Sequence, residues 1–544
     1  MGRTSSGQQK GPDTSWARPT SRLSGTARST AGVMALTTLS RLLGFVRQAV
    51  LNAVFGATGS ADVLNAVFNI PNNLRKLLAE GALSSAFIPV LSQAIVERDD
   101  GKNTAPEGIV RRLLGFQYLI LVPLLLASVV FARPIVEFVL DFPDAERQLL
   151  AVGLFRWFIH YTLLISLSAV IMGSLNSSNR FAVPAFTPIL FSVSVILSLV
   201  FLSGQLGVYA MAVGVLGGGV AQILFQLPQF RSKGFSFLPM FSFNDHAFKL
   251  ILGRWIPVVA ASSIFAINQL VAFRFASGLE NGSASALANA VIFWQLPQGI
   301  FAVSVTTVLF PKMSRQAGQN DHVGLRASAS SGLRSIAALL IPSSVLLAVF
   351  GPEVIAMAFQ RGEFTASDTA RTAEVLVFYC VGMVGVSCYT FLQRFFYAIG
   401  DYRSPIYTAT GILVANIALS LWLKETALGP AGLALANSIG FTVGSLVLTF
   451  IARSRLNGVN GRDIVSTVLK AIVAAIAGGS VIVGSKAIFG PWWLAGSSVR
   501  GVMLLLLVGT LALAGTVVAM MLLRVEAARS IARRFIHDNQ NSED

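Results

Sequence analysis

The chain has 544 residues, of which 54% are hydrophobic and 12% charged, with a mean hydropathy of +0.68 and a formal net charge of +16. So apolar a composition excludes a water-soluble globule of ordinary make-up and makes lipid the solvent for most of the surface. Strand-like alternation is absent, which argues against a transmembrane β-barrel.

Residues 1–30 are rich in Ser, Thr, Gly and Arg and lack an apolar stretch, so they read as a disordered basic tail and not as a cleaved signal. The first membrane helix is therefore retained. A hydrocarbon layer of about 30 Å requires roughly 20 apolar residues at about 1.5 Å each. Such runs predict about fourteen spans, at 31–55, 62–94, 110–133, 147–175, 180–203, 206–229, 247–278, 283–314, 326–350, 367–399, 402–423, 428–452, 464–489 and 501–523. Cys380 and Cys388 share one of these runs, about 12 Å apart along a helix axis, too far to be bridged.

With the amino terminus inside, Arg98, Lys102, Arg111, Arg112, Arg231, Lys233, Lys312, Arg315, Arg403, Arg453, Arg455, Arg462 and the tail's Arg529, Arg533 and Arg534 all fall in the cytoplasm. The loop around Asp141, Asp144 and Glu146 on the other side is acidic. This asymmetry places both termini in the cytoplasm and accounts for the net charge without nucleic acid.

Internal duplication is the next signal. Leu206-Gly207 opens the sixth span and Leu428-Gly429 the twelfth; Pro184 and Pro405 start the fifth and eleventh; Pro71 and Pro89 are echoed by Pro297 and Pro311. Each pair is offset by roughly 220 residues, the pattern of parallel transporter repeats, although prolines in spans also recur by chance. The expected fold class is an all-α membrane protein of about fourteen transmembrane helices, with two pseudo-symmetric six-helix halves and two added C-terminal helices. The expected segments are a tail at 1–30, halves at 31–235 and 245–455, two extra helices within 464–524, and a cytoplasmic tail at 525–544.

Ionisable side chains inside spans are costly and therefore informative. Arg41 and Arg47 fall about 15 and 24 Å into the layer from the start of the first span, and Arg75 lies about 20 Å beyond Asp62, entering from the opposite side. Three guanidinium groups thus converge on the middle of one half. Glu80 pairs with Lys76 as readily as with Arg75, so the spans hold too few carboxylates to neutralise the cluster. A planar, permanently charged fork suits phosphate oxygens, which makes a phosphate or diphosphate headgroup the fitting partner; the bland alternative is that each arginine snorkels or pairs with carbonyls. Arg274 either lines the same cavity or snorkels outward. His160 beside Arg156 lacks a paired carboxylate, which favours a structural or interfacial role over a proton relay. Phosphate-loop, zinc-protease and nucleophile-elbow motifs are absent from the sequence, so energy must come from a gradient or the membrane potential.

The stretch Ser40-Arg41-Leu42-Leu43-Gly44-Phe45-Val46-Arg47, with Phe55-Gly56-Ala57, Asp62, Pro71-Asn72-Asn73-Leu74-Arg75-Lys76, Ala79-Glu80-Gly81-Ala82 and Phe87-Ile88-Pro89-Val90-Leu91, resembles the amino-terminal signature of the MviN/MurJ family. Further likeness occurs at Asn179-Arg180-Phe181, Gln226-Leu227-Pro228, Leu296-Pro297-Gln298-Gly299 and Phe359-Gln360-Arg361-Gly362-Glu363-Phe364, so the resemblance spans about 30 to 530. It implies a lipid II flippase of the multidrug/oligosaccharidyl-lipid/polysaccharide exporter superfamily, moving undecaprenyl-diphosphate-linked peptidoglycan precursor across the bacterial cytoplasmic membrane. It also implies that Arg41, Arg47 and Arg75 line a central cavity, that Asp62 is important, and that the two extra helices form a groove for the lipid tail. Two departures stand out: Gln48 occupies a position that is commonly Asp, and the family's cavity cation in the eighth span aligns with Ile292. Arg274 is the expected substitute, giving the substrate-binding set Arg41, Arg47, Arg75, Asp62 and Arg274. Some relatives bind sodium; here Asn268, Asn416, Asn437 and Thr442 offer oxygens but no mid-span carboxylate, so sodium coupling is doubtful.

The expectation is thus a multi-pass cytoplasmic-membrane transporter working by alternating access as a monomer, with lipid II and membrane lipids as partners, cell-wall synthesis proteins as further candidates, and no cofactor, metal or covalent catalysis. The rivals are a drug or polysaccharide-lipid exporter of the same superfamily and a membrane enzyme acting on polyprenyl phosphates.

Overall fold

The computed structural model describes residues 20–78, 82–101, 105–456, 458–493 and 499–526, and among these the regular structure is helical throughout. The first half comprises α1 (Thr20–Phe55), α2 (Gly59–Leu78), α3 (Ala82–Asp99), α4 (Pro106–Val130), a short α5 (Ala132–Val139), α6 (Ala145–Ser177), α7 (Ala182–Leu206) and α8 (Tyr209–Ser232). The second comprises α9 (His246–Ser277), α10 (Ser283–Pro297) running through a π-turn at Gln298–Ala302 into α11 (Val303–Gly318), α12 (His322–Phe359), α13 (Ala366–Ala398), α14 (Arg403–Leu423) and α15 (Pro430–Arg455). Two further helices follow, α16 (Gly461–Trp493) and α17 (Val499–Leu522).

Among the described residues eleven helical spans, with α10 and α11 taken as one, are long and apolar enough to cross a membrane. The remaining three expected spans coincide with α1, with α2 and α3 together, and with α9. The second span consists of α2 and α3, and the eighth widens into the π-turn beside Pro297, where the ring removes a helical N–H.

The duplication is visible in the packing. In the first half α8 packs on α6 and α7, α7 on α1, and α6 on α2, α3 and α4; in the second, α15 packs on α13 and α14, α14 on α9, and α13 on α10, α11 and α12. Gly207 and Gly429, the glycines of the repeated Leu-Gly pairs, both adopt positive φ, +53° and +47°. A side chain rarely tolerates that conformation, so the same turn carries the same residue in each half. The main apolar core runs through both halves and includes Leu64, Phe158, Leu392 and Phe395. Cys380 and Cys388 are unbridged.

Two features differ from expectation. Helix α1 begins at Thr20, so residues 20–30 of the expected disordered tail are helical; after Pro19 no proline breaks the run before the helix ends at Phe55. The short α5 after the third span was not foreseen, because its eight residues are too few to register as an apolar run. Residues 527–544 lie outside the described segments, as does Glu80.

The connection between the halves is tied down. The Met240 N–H donates to the carbonyl of Arg111 at 2.9 Å, Arg111 Nε donates to the Leu238 carbonyl at 3.2 Å, and Arg112 lies 3.3 Å from Asp245. Phe235 is buried, and the rings of Phe243, Phe248 and Trp255 close on Phe116 of α4. The extra helices dock through α16 on α12, where Lys486 Nζ sits 2.9 Å from Glu353 and donates to the Val349 carbonyl at 2.7 Å.

Candidate functional site

The spans alternate in direction, so one face of the bundle collects Arg98, Arg231, Arg315, Arg403 and Arg455 at helix ends; it is called the basic face here. At the opposite face the two halves meet. The Glu363 N–H donates to the Ala53 carbonyl at 3.0 Å, and the Asp141 N–H to Ser277 Oγ at 2.8 Å. Gly56, at φ +62°, lies so close to Glu363 that an added Cβ would stand 2.5 Å from its carbonyl oxygen. Within the second half, Arg371 bonds the Asn281 carbonyl beside the same seam.

Asp62 is the central fastener of this seal. It sits in the first turn of α2, is 1% exposed, and accepts the Gly282 N–H at Oδ2 and the Ser285 N–H at Oδ1, both at 2.7 Å. Those N–H groups belong to the start of α10, where unpaired donors and the positive end of the helix dipole favour a carboxylate. Asp62 was expected among the substrate-binding residues, but both its oxygens are engaged here and it is absent from the cavity wall described next. An anionic group beside an anionic cargo would repel it. One layer deeper, Gln48 and Asn52 both donate to Asn289 Oδ1, at 2.9 and 3.0 Å.

Towards the basic face the halves part around a cavity of about 840 Å³. Its wall is built by α1 (Arg41, Phe45, Arg47), by α10 to α11, and by Thr390 and Arg394 of α13. The π-turn widens that wall, and Gly299 lies against the Arg41 guanidinium: an added Cβ would be 3.3 Å from it. Arg47 lies over the Phe191 ring at 5.3 Å and Arg394 over Phe310 at 5.8 Å, cation–π contacts that hold each guanidinium without cancelling its charge. The lining carries three guanidinium groups, the amides of Gln295 and Gln298, and no carboxylate among the described residues. Such a site attracts an anion rich in acceptors, and phosphate oxygens match the arginine fork.

Of the arginines expected to converge, Arg41 and Arg47 line the cavity. Arg75, in the last turn of α2, donates to Asn72 at 3.1 Å and lies close enough for its charge to act on Arg47, but it is not in the cavity wall. Arg274 does not supply the missing cation. It bonds the Glu137 carbonyl at 3.2 Å and the Phe138 carbonyl, and stands 4.0 Å from Asp141, at the opposite face, where it satisfies orphan carbonyls at the end of α5. Ile292 is in the wall as an apolar residue, and the third cation is Arg394, which the sequence reading missed. Its signal was the spacing of Thr390 and Arg394 at i and i+4, one face of one helix.

The amides considered for sodium are occupied with one another: Asn416 donates to Asn268 at 2.6 Å and Asn268 to Asn437 at 3.2 Å, while Thr442 donates to the Ser438 carbonyl. Arg156 and His160 lie on an exposed face of α6, outside the cavity.

A repeated six-span bundle, sealed between its halves at one face and parted around a charged cavity towards the other, is the layout of a membrane transporter. The sequence profile for "Lipid II flippase MurJ" matches residues 51–504. A relative from Borreliella burgdorferi named "Probable lipid II flippase MurJ" is 35% identical over 448 residues, covering 82% of this chain and 87% of its own. A Burkholderia cenocepacia protein named "Lipid II flippase MurJ" is 30% identical over 434 residues, covering 79% and 84%. The chain belongs to the MurJ lipid II flippase family. Its fold is also that of a solved structure described as "Lipid II flippase MurJ, inward closed conformation", at a TM-score of 0.72 and 24% identity over 90% of this chain and 98% of that one. A multidrug resistance MATE family transporter in an inward-facing conformation follows at a TM-score of 0.65 and 16% identity, covering 78% of this chain and 98% of that one.

Proposed function

We propose that this protein flips lipid II, the undecaprenyl-diphosphate-linked peptidoglycan precursor, across the cytoplasmic membrane by alternating access. The observation that carries the reading is the cavity at the junction of the halves, walled by Arg41, Arg47 and Arg394 and free of carboxylates among the described residues. The basic face is the cytoplasmic one, with both termini on that side. A diphosphate entering from the inner leaflet gains charge-assisted hydrogen bonds to the three guanidinium groups, and Arg75 reinforces the field at Arg47. The halves, taken as 31–235 and 245–455, then rock: the cavity closes towards the cytoplasm and the Asp62 fastening releases α10 at the outer face.

No bond in the cargo is made or broken, so the side chains need only bind, orient and release. Arg41 and Arg394 are exposed, so water screens these two enough for the cargo to leave. The protein acts as a monomer, and proteins of cell-wall synthesis are its expected neighbours. The deciding experiment is depletion of the protein in cells followed by an assay of lipid II in each leaflet. Accumulation on the inner leaflet, reversed by the wild-type chain, supports the reading; unchanged leaflet distribution overturns it.

A further inference from the structure

A second, much smaller cavity lies away from the cargo site, between α4, α6 and α9. Its volume is about 30 Å³, and its walls are mostly apolar, with Leu113, Phe116 and Leu252 among them. Gln117, Ser166 and Trp255 also line it, and each carries a buried polar atom with no hydrogen-bond partner: Gln117 Oε1, Ser166 Oγ and Trp255 Nε1. Gln117 is 8% exposed and Ser166 fully buried. Counting along each helix from the basic face, the three lie about 16, 16 and 14 Å deep, at one level of the membrane. A polar group left unpaired in hydrocarbon forfeits the hydrogen bond it makes in water, so three at one level are strongly unfavourable without an occupant.

The chemistry of the three atoms selects the occupant. Trp255 Nε1 only donates, which repels a cation; Gln117 Oε1 only accepts, which repels an anion; Ser166 Oγ does both. A single water accepts from the indole and donates to the amide oxygen and the hydroxyl, and the volume suits one water and excludes a lipid tail or headgroup. We propose that this pocket binds one structural water molecule that joins α4 and α6 of the first half to α9, the opening helix of the second. The water is the polar tie between the halves at this depth. Unlike a direct side-chain bond, it re-forms its contacts after a small displacement, so the seam shifts without stranding a polar group.

The test uses the full chain in lipid nanodiscs and X-ray radiolytic footprinting, in which a bound water is activated in place and oxidises the side chain it touches. Trp255 is expected to be modified several-fold faster in the wild type than in the double variant Gln117→Leu, Ser166→Ala, with exposed Trp157 modified equally in both. Equal rates at Trp255 overturn the proposal. Should the double variant fail to fold, an experimental wild-type structure that resolves ordered waters decides instead. A peak at about 2.7–3.2 Å from all three atoms supports the site. Well-ordered side chains with no peak, or a lipid or ion in its place, overturn it.

Discussion

Replacing Asp62 with alanine should tip the protein towards the state open at the outer face. In the sealed state the carboxylate is, among the described residues, the hydrogen-bond partner of both the Gly282 and Ser285 N–H groups, each at 2.7 Å, in a site that is 1% exposed. Truncation leaves two buried donors unsatisfied at about 1–3 kcal/mol each, so with some relaxation the sealed state loses about 2–4 kcal/mol. The open state, in which water reaches both donors, loses almost nothing. At about 1.4 kcal/mol per tenfold, the sealed-to-open ratio falls about 30-fold to 1000-fold. Asparagine keeps one acceptor and should shift the ratio by about the square root of that, because it satisfies one of the two donors. The assay places a cysteine at Ser283, which is 1% exposed at the same seam, in a background with Cys380 and Cys388 replaced by alanine. Its reaction with a membrane-impermeant thiol reagent in intact cells reports opening. The rate should rise in the order wild type, Asp62→Asn, Asp62→Ala. An unchanged rate in Asp62→Ala would refute the latch.

Three further outcomes follow from the same geometry. Arg394→Gln should weaken lipid II binding to the purified protein about tenfold to hundredfold, the worth of a hydrogen bond to a charged group, whereas Arg274→Ala should leave that affinity unchanged; the reverse pattern would restore Arg274 to the cavity. Arg47→Lys keeps the charge but loses the bidentate fork, so binding should drop by about 1 kcal/mol, roughly fivefold, measured in the same titration. Lys486→Met strands the Glu353 carboxylate, whose side chain is 13% exposed, and should cost about 1–3 kcal/mol, seen as a lower melting temperature. Adding Glu353→Gln to that variant should recover most of the loss, and a double variant less stable than the single would show that the pair is not the source.

The span pattern and the duplication were legible because both rest on local properties: runs of apolar residues set by bilayer thickness, and glycines and prolines whose backbone demands repeat with the fold. Arg41 and Arg47 were legible for the same reason, since depth along one helix follows from counting. Arg394 was not. It lies four residues from the end of α13, where an arginine ordinarily reaches the interface, and only the packing of α13 against α11 makes it part of a cavity wall. Arg274 misled by the converse argument: its partners are backbone carbonyls of α5, a helix too short to announce itself. Asp62 was rightly singled out, but its partners are N–H groups more than 200 positions away, which no sequence spacing reveals.

The anchoring of residues 233–245 on α4 has a mechanical corollary. Because that segment leads straight into α9, the first turns of α9 are yoked to the first half, while its later turns pack against α14 and α15 of the second. In the proposed rocking cycle one rigid rod cannot follow two bodies that rotate apart, so α9 flexes once per cycle like a leaf spring. Its stiffness then sets the tempo of transport: a rigidifying change along α9, or a small molecule wedged beside it, would slow turnover without touching the cargo.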